Sequence, residues 1–161
     1  MRLMALLVLA VLTSTLAYQT ATFQAIKPTA QEISVNDAAA QFLSYRSAVM
    51  AFMTDNPAFT GTIQPSQLSA YSPKYSSVFI AKFAASNAVT VSGTGRLITT
   101  YAALPTGTLQ QVLVRSENDA SIGLSAGSTW IACASGVNTA PQPLNVTVPT
   151  GDVVSVVKTG N

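Results

Sequence analysis

Asn36-Asp37-Ala38-Ala39-Ala40-Gln41-Phe42-Leu43-Ser44-Tyr45-Arg46-Ser47-Ala48-Val49-Met50-Ala51-Phe52-Met53 decides the fold class, because its apolar residues recur at helical rather than strand spacing. Phe42, Tyr45, Val49 and Phe52 fall on one face of a 3.6-residue turn, and Ala39, Met50 and Met53 widen the stripe. Asn36 is the expected N-cap, with the Asp37 carboxylate in the first turn where the helix dipole favours it. Asn56-Pro57 ends the helix. The stripe reads as core packing rather than as a cofactor or ligand groove.

Downstream, Phe59-Thr60-Gly61-Thr62-Ile63-Gln64-Pro65 reads as a loop and Pro65-Ser66-Gln67-Leu68 as a short helical turn. Short strands are expected at Ser77–Ala81, Ala88–Val91 and Leu97–Tyr101, the last two joined by a hairpin turn at Ser92-Gly93-Thr94-Gly95. Thr108–Ser116 has helix-like spacing and a Thr cap, while its valines leave a strand open. Ser121–Leu124 and Ser128–Ala132 form a second expected hairpin across Ala126-Gly127. An extended segment, Val146–Val157, closes the chain. The predicted fold is α+β: an N-terminal membrane helix, then one long amphipathic helix packed on a small antiparallel sheet.

Upstream of the helix, Pro28 interrupts whatever precedes it, and no residue from Leu3 to Ile26 is charged. Leu3, Leu6, Leu7, Leu9, Val11, Leu12 and Leu16 form the apolar body of this segment. Its densest part, LMALLVLAVL from Leu3 to Leu12, follows Arg2 as the core of a secretory signal does, with Ala17 at the cleavage position. As a helix, however, Leu3 to Ile26 reaches roughly 36 Å, enough for a hydrocarbon core of about 30 Å. Either way Arg2 stays cytoplasmic by the positive-inside rule and the remaining chain crosses the membrane. The expected division is residues 1–27 as anchor or signal peptide and residues 28–161 as a periplasmic domain.

Composition narrows the function. In 161 residues only 9% are charged, against roughly 25% in an ordinary soluble domain, and mean hydropathy is +0.38. Little electrostatic repulsion keeps such a surface away from neighbours, so a domain docked in an assembly is expected. The net charge of +2 comes from separated basic residues that make no row for phosphates, which disfavours nucleic acid. The absence of His removes the usual metal ligand and general base together. The single thiol, Cys133, lies in the apolar run Trp130-Ile131-Ala132-Cys133-Ala134 and reads as a small buried hydrophobe.

Among the carboxylates Glu32, Asp37, Asp55, Glu117, Asp119 and Asp152, Glu117 and Asp119 are the close pair. They sit in Ser116-Glu117-Asn118-Asp119, which reads as a solvated turn and not as an acid/base pair. SGTGRL lacks the third Gly of a dinucleotide loop, and Lys74 and Lys82 show no Ser-x-x-Lys spacing; Ser155-Val156-Val157-Lys158 has it, but at the end of an extended segment residues three apart fall on opposite faces. Asn145-Val146-Thr147 fits a glycosylation acceptor, relevant to a eukaryotic secretory route alone. The expectation is a protein with no catalytic residue, no cofactor, no metal and no small-molecule substrate.

An apolar segment, a Pro break, a helix running to Asn56-Pro57 and a small sheet together resemble the layout of type IV pilins and pseudopilins. The prepilin processing features, a Gly before the cut, Phe or Met after it and a Glu five residues into the apolar segment, are not matched. More closely, AAAQFLSYRSAVMAFMTDNP, GTIQPSQL, SIGLSAGSTW and PLNVTVPTGDVV resemble the PilM-type proteins of plasmid-encoded thin-pilus systems. The resemblance spans nearly the whole chain. It implies a single-pass bacterial inner-membrane protein of the thin-pilus basal body or pilin export apparatus, whose partners are other pilus-assembly proteins or pilins. It also favours a retained anchor over a signal peptide, the alternative being a secreted binding module or minor pilus subunit.

Overall fold

Helix α1 runs from Ala30 to Asp55, 26 residues. In the computed structural model, which describes residues 30–72, 75–137 and 140–160, it begins upstream of the expected cap, and Asn36 lies inside it. Neither Pro nor Gly stands between Ala30 and Asn36 to break the helix, so the turns continue. Asp37 then accepts an i,i+4 hydrogen bond from Gln41 Nε2 at 2.8 Å, as a helix-interior residue does. At the other end the expected stop holds: the Asn56 amide and Nδ2 both donate to Phe52 O at 2.9 Å, and Pro57 follows.

Three short helices follow: α2 at Pro65–Leu68, α3 at Ser77–Lys82 and α4 at Thr108–Arg115. The strands are β1 (Ser86–Ser92), β2 (Gly95–Ala102), β3 (Ile122–Ser125), β4 (Thr129–Ala132), β5 (Gln142–Pro143) and β6 (Val153–Thr159). They make one sheet in the order β1-β2-β6-β3-β4-β5, with every neighbouring pair antiparallel. The last strand of the chain thus fills the middle of the sheet, joining the hairpin β1–β2 to the hairpin β3–β4. Ser34–Asn161 forms one compact unit. Leu3, Leu6, Leu7, Leu9, Val11, Leu12 and Leu16 lie outside the described residues, and no helix among those described is long and apolar enough to cross a membrane.

Three further expectations are corrected. Ser77–Ala81 is not a strand but part of α3. Ser76 Oγ accepts from the Phe79 amide at 3.1 Å, and this N-cap outweighs the strand preference of Val78, Phe79 and Ile80. Helical geometry buries Phe79 and leaves Val78 exposed. Thr108 is the first residue of α4 rather than its cap; Gly107, at φ 87°, occupies the cap, a left-handed conformation that suits Gly. Of Val146–Val157, only Val153 onward is strand. The earlier part belongs to a strap that begins at Leu144, just after β5.

That strap explains why both faces of the sheet are covered. On the first face, Phe42, Tyr45 and Val49 of α1 share a cluster with Val112 and Leu113 of α4 and with Val89, Ile98, Ile122 and Val153 of the sheet. On the second, Trp130, Ala132 and Val154 pack with Leu144 and Val148 of the strap. The strap is stitched down by Leu144 N to Ser128 O and by Val148 N to Gly127 O. Ser125 Oγ donates to Val148 O at 2.9 Å. Val153, Val154 and Ser155 are consequently buried in succession, the pattern of a strand covered on both faces. Gly123 carries no side chain because a Cβ there would run into Ile131 O of β4.

Candidate functional site

A groove of about 370 Å³ opens where the last turns of α1 meet the β1–β2 hairpin. Met50 and Met53 form its helical wall, Pro57 lines it beyond the helix end, and Thr94, Arg96 and Gly160 line the side toward the sheet. The wall exists because the helix stops at Asn56. The hairpin reaches it because Gly93, at φ 62°, permits a tight reversal between Ser92 and Gly95.

Arg96 is held from three directions. Its Nε donates to Phe59 O at 3.2 Å, one terminal nitrogen to Gly95 O at 3.1 Å and the other to Ala58 O at 3.1 Å. These acceptors are neutral carbonyls. No carboxylate pairs with Arg96 among the described residues.

The same loop is fastened to the sheet by Asn87, which is 1% exposed. Gly61 and Val89 exchange backbone hydrogen bonds at 2.8 Å, and two residues on the loop the Asn87 side chain takes over as pairing partner. Its Oδ1 accepts from Ile63 N at 2.8 Å, while Nδ2 donates to Ile63 O at 3.0 Å and to Tyr45 Oη at 2.8 Å. Burial pushes the Tyr45 hydroxyl up to about 12, against the opposing hydrogen bond from Asn87.

A second polar cluster ties α1 to the start of β3. One Arg46 terminal nitrogen donates to Asp119 Oδ2 at 2.5 Å and to Ser121 Oγ at 2.9 Å, and Ser121 Oγ lies 3.4 Å from Ser155 Oγ. Burial drives the Asp119 carboxyl upward. Hydrogen bonds from Ser121 and the Arg46 guanidinium outweigh that effect and hold it below the usual range. Asp119 is therefore a structural partner, not the solvated residue expected from its loop. The loop itself is tight, with Glu117 at φ 55° and Asn118 at φ 60°.

The remaining ionisable groups are scattered. Asp152 is buried and burial raises its pKa, with its backbone engaged to Ser125 and Pro149. Cys133 is half-buried against the larger cluster, its thiol pushed up by burial. Among the described residues, His, Cys, Asp and Glu gather nowhere in groups of three or more that could hold a metal ion.

Of the stripe read from sequence, Phe42, Tyr45, Val49 and Phe52 are all buried, with Phe52 stacked edge-on against Phe59 and Tyr71. Met50 and Met53 have a double role, since they pack on the core and also line the groove. Arg46, Asn87 and Arg96 are the polar residues that sequence reasoning missed. One signal was available: no acidic residue stands within four positions of either Arg, so a local ion pair was ruled out for both.

Residues 8–156 match the PilM family. A crystal structure described as a PilM protein from Escherichia coli B7A shares the fold, with a TM-score of 0.53 at 15% sequence identity, covering 81% of this chain and 97% of that one. No curated protein matches the chain.

Proposed function

Since this chain belongs to the PilM family, we propose that it is a non-catalytic assembly component of thin-pilus biogenesis, acting by protein–protein contact in the basal body or pilin export apparatus. The observation that carries the proposal is the extent of the family match, which takes in Leu9, Val11, Leu12 and Leu16 along with nearly all of the globular unit. In this reading residues 1–27 anchor the chain in the bacterial inner membrane and the rest stands in the periplasm. The single basic residue ahead of the apolar segment, Arg2, supports that orientation.

A contact role also agrees with where the charges sit. Arg46 and Asp119 neutralise each other, Arg96 clamps backbone carbonyls, and the chain has no His to shuttle protons at neutral pH. The test is complementation of a strain lacking the gene, read by pilus yield and membrane fractionation. Leu9→Arg is expected to abolish pili through failed insertion, at an apparent cost of about 2.5–3.5 kcal/mol. Glu117→Gln and Lys158→Met should leave pilus yield within twofold of the parent. Loss of pili in either conservative variant, with the protein still folded and membrane-bound, would point to chemistry instead. An intact mass lacking residues 1–17 would replace the anchored protein with a secreted one.

A further inference from the structure

We propose that the groove between the end of α1 and the β1–β2 hairpin docks a partner protein through a segment presenting a carboxylate beside an apolar side chain. This rests on the reading of the protein as a contact-based assembly component, and it adds the surface and the chemistry of that contact. Charge complementarity selects the occupant. Arg96 brings a full positive charge to the groove wall, and among the described residues no acid neutralises it. Asp55, the acid at the end of α1, makes no ion pair with it.

The guanidinium is also fixed. Three of its N–H groups donate to the carbonyls of Ala58, Phe59 and Gly95, which leaves one N–H on each terminal nitrogen for a ligand. Because these bonds already order the side chain, a carboxylate meets a preorganised donor at little further entropic cost. Met50 and Met53 supply the complementary apolar wall, and thioether side chains adapt to irregular partners. The volume of about 370 Å³ lies at the small end for ligand sites, suited to one side chain and its carboxylate rather than to a helix. A lone cation also argues against a nucleic-acid backbone, whose binding draws on several phosphate contacts.

The test uses the full chain in zwitterionic micelles with ¹³C-methyl-labelled methionine, titrated with N-acetyl-leucine and, separately, with N-acetyl-leucinamide. The acid is expected to give saturable shifts at the Met50 and Met53 methyls, and the amide to bind at least tenfold more weakly. Arg96→Gln should remove the difference between acid and amide. Because that variant also loses three carbonyl contacts, Thr54→Glu serves as the second: Thr54 is exposed on the groove rim, and a carboxylate there competes for Arg96 without disturbing its hydrogen bonds. It should weaken the acid at least tenfold with an unchanged thermal midpoint. Equal binding of acid and amide overturns the proposal in favour of a plain apolar cleft. A stronger response to dihexanoylphosphatidylglycerol than to the acid overturns it in favour of a lipid headgroup, and no response to any probe overturns it outright. None of these outcomes bears on the complementation result for Leu9→Arg, so the groove and the assembly role fail separately.

Discussion

Asn87→Ala tests how the sheet edge and the groove loop are held together. The side chain is 1% exposed and serves both backbone groups of Ile63, which is itself 1% exposed, as well as the Tyr45 hydroxyl. Truncation leaves the Ile63 amide and carbonyl buried without partners, and each such group costs about 1–3 kcal/mol, so the sum is about 2–6 kcal/mol. Tyr45→Phe is the control. It removes one hydrogen bond while Asn87 keeps both of its bonds to Ile63, for a loss of about 1 kcal/mol. Against a total stability of about 5–15 kcal/mol, only the first change is severe. Urea denaturation of the full chain in micelles, followed by the fluorescence of the single tryptophan, Trp130, separates them. With a slope of about 1–3 kcal/mol per molar, Asn87→Ala should lower the midpoint by about 2 M and Tyr45→Phe by about 0.5 M. Midpoints that agree within error would refute the pairing of Asn87 with the loop. A pH check is built in. Tyr45 ionises at about 12 when folded against 10.0 ordinarily, so its contribution is complete below pH 10 and lost between pH 10 and 12. Tyr45→Phe should flatten that decline.

Asp119→Asn should destabilise the domain by about 1–2 kcal/mol at pH 7, a partly buried pair being worth more than an exposed one. Its folded pKa is depressed, so the contribution is present above the ordinary 3.8 and lost as pH falls through the folded value. Parent and variant denaturation midpoints should therefore converge in acid, and a difference that persists after Asp119 is protonated would refute the ion pair. Asp152→Asn should act in the opposite direction: burial raises this carboxyl, so the ionisation penalty develops as pH rises from 3.8 to the folded value and stays constant above it. The variant should melt higher than the parent at pH 7 and equal to it below 3.8, and a lower melting point at pH 7 would show that the carboxylate has an attractive partner.

Helix α1 was legible because its signal is local. Phe42, Tyr45, Val49 and Phe52 repeat at the period of the element they build, and Asn56-Pro57 marks the stop within the same window. The hairpins β1–β2 and β3–β4 were legible for the same reason, their turn residues lying between the strands they join. What failed was decided at a distance. Ser77–Lys82 carries strand formers, yet its helix is started by the Ser76 cap, and Ser76 Oγ donates in turn to Gln41 Oε1 of α1 at 2.9 Å. No pattern along the chain announces that β6 inserts between two finished hairpins, because strand order belongs to tertiary pairing. The charges divide in the same manner. Composition shows which chemistries lack their residues, but it does not show which charge has a partner. Arg46 and Arg96 look alike in sequence, each set among apolar or small residues with no acid nearby. Folding brings Arg46 to Asp119, 73 positions away, and closes that pair. It brings Arg96 to neutral carbonyls, which fix the guanidinium beside two methionines, and no acid among the described residues pairs with it. Under the docking proposal, it is this fixed charge beside an apolar wall that a partner's carboxylate meets in the groove.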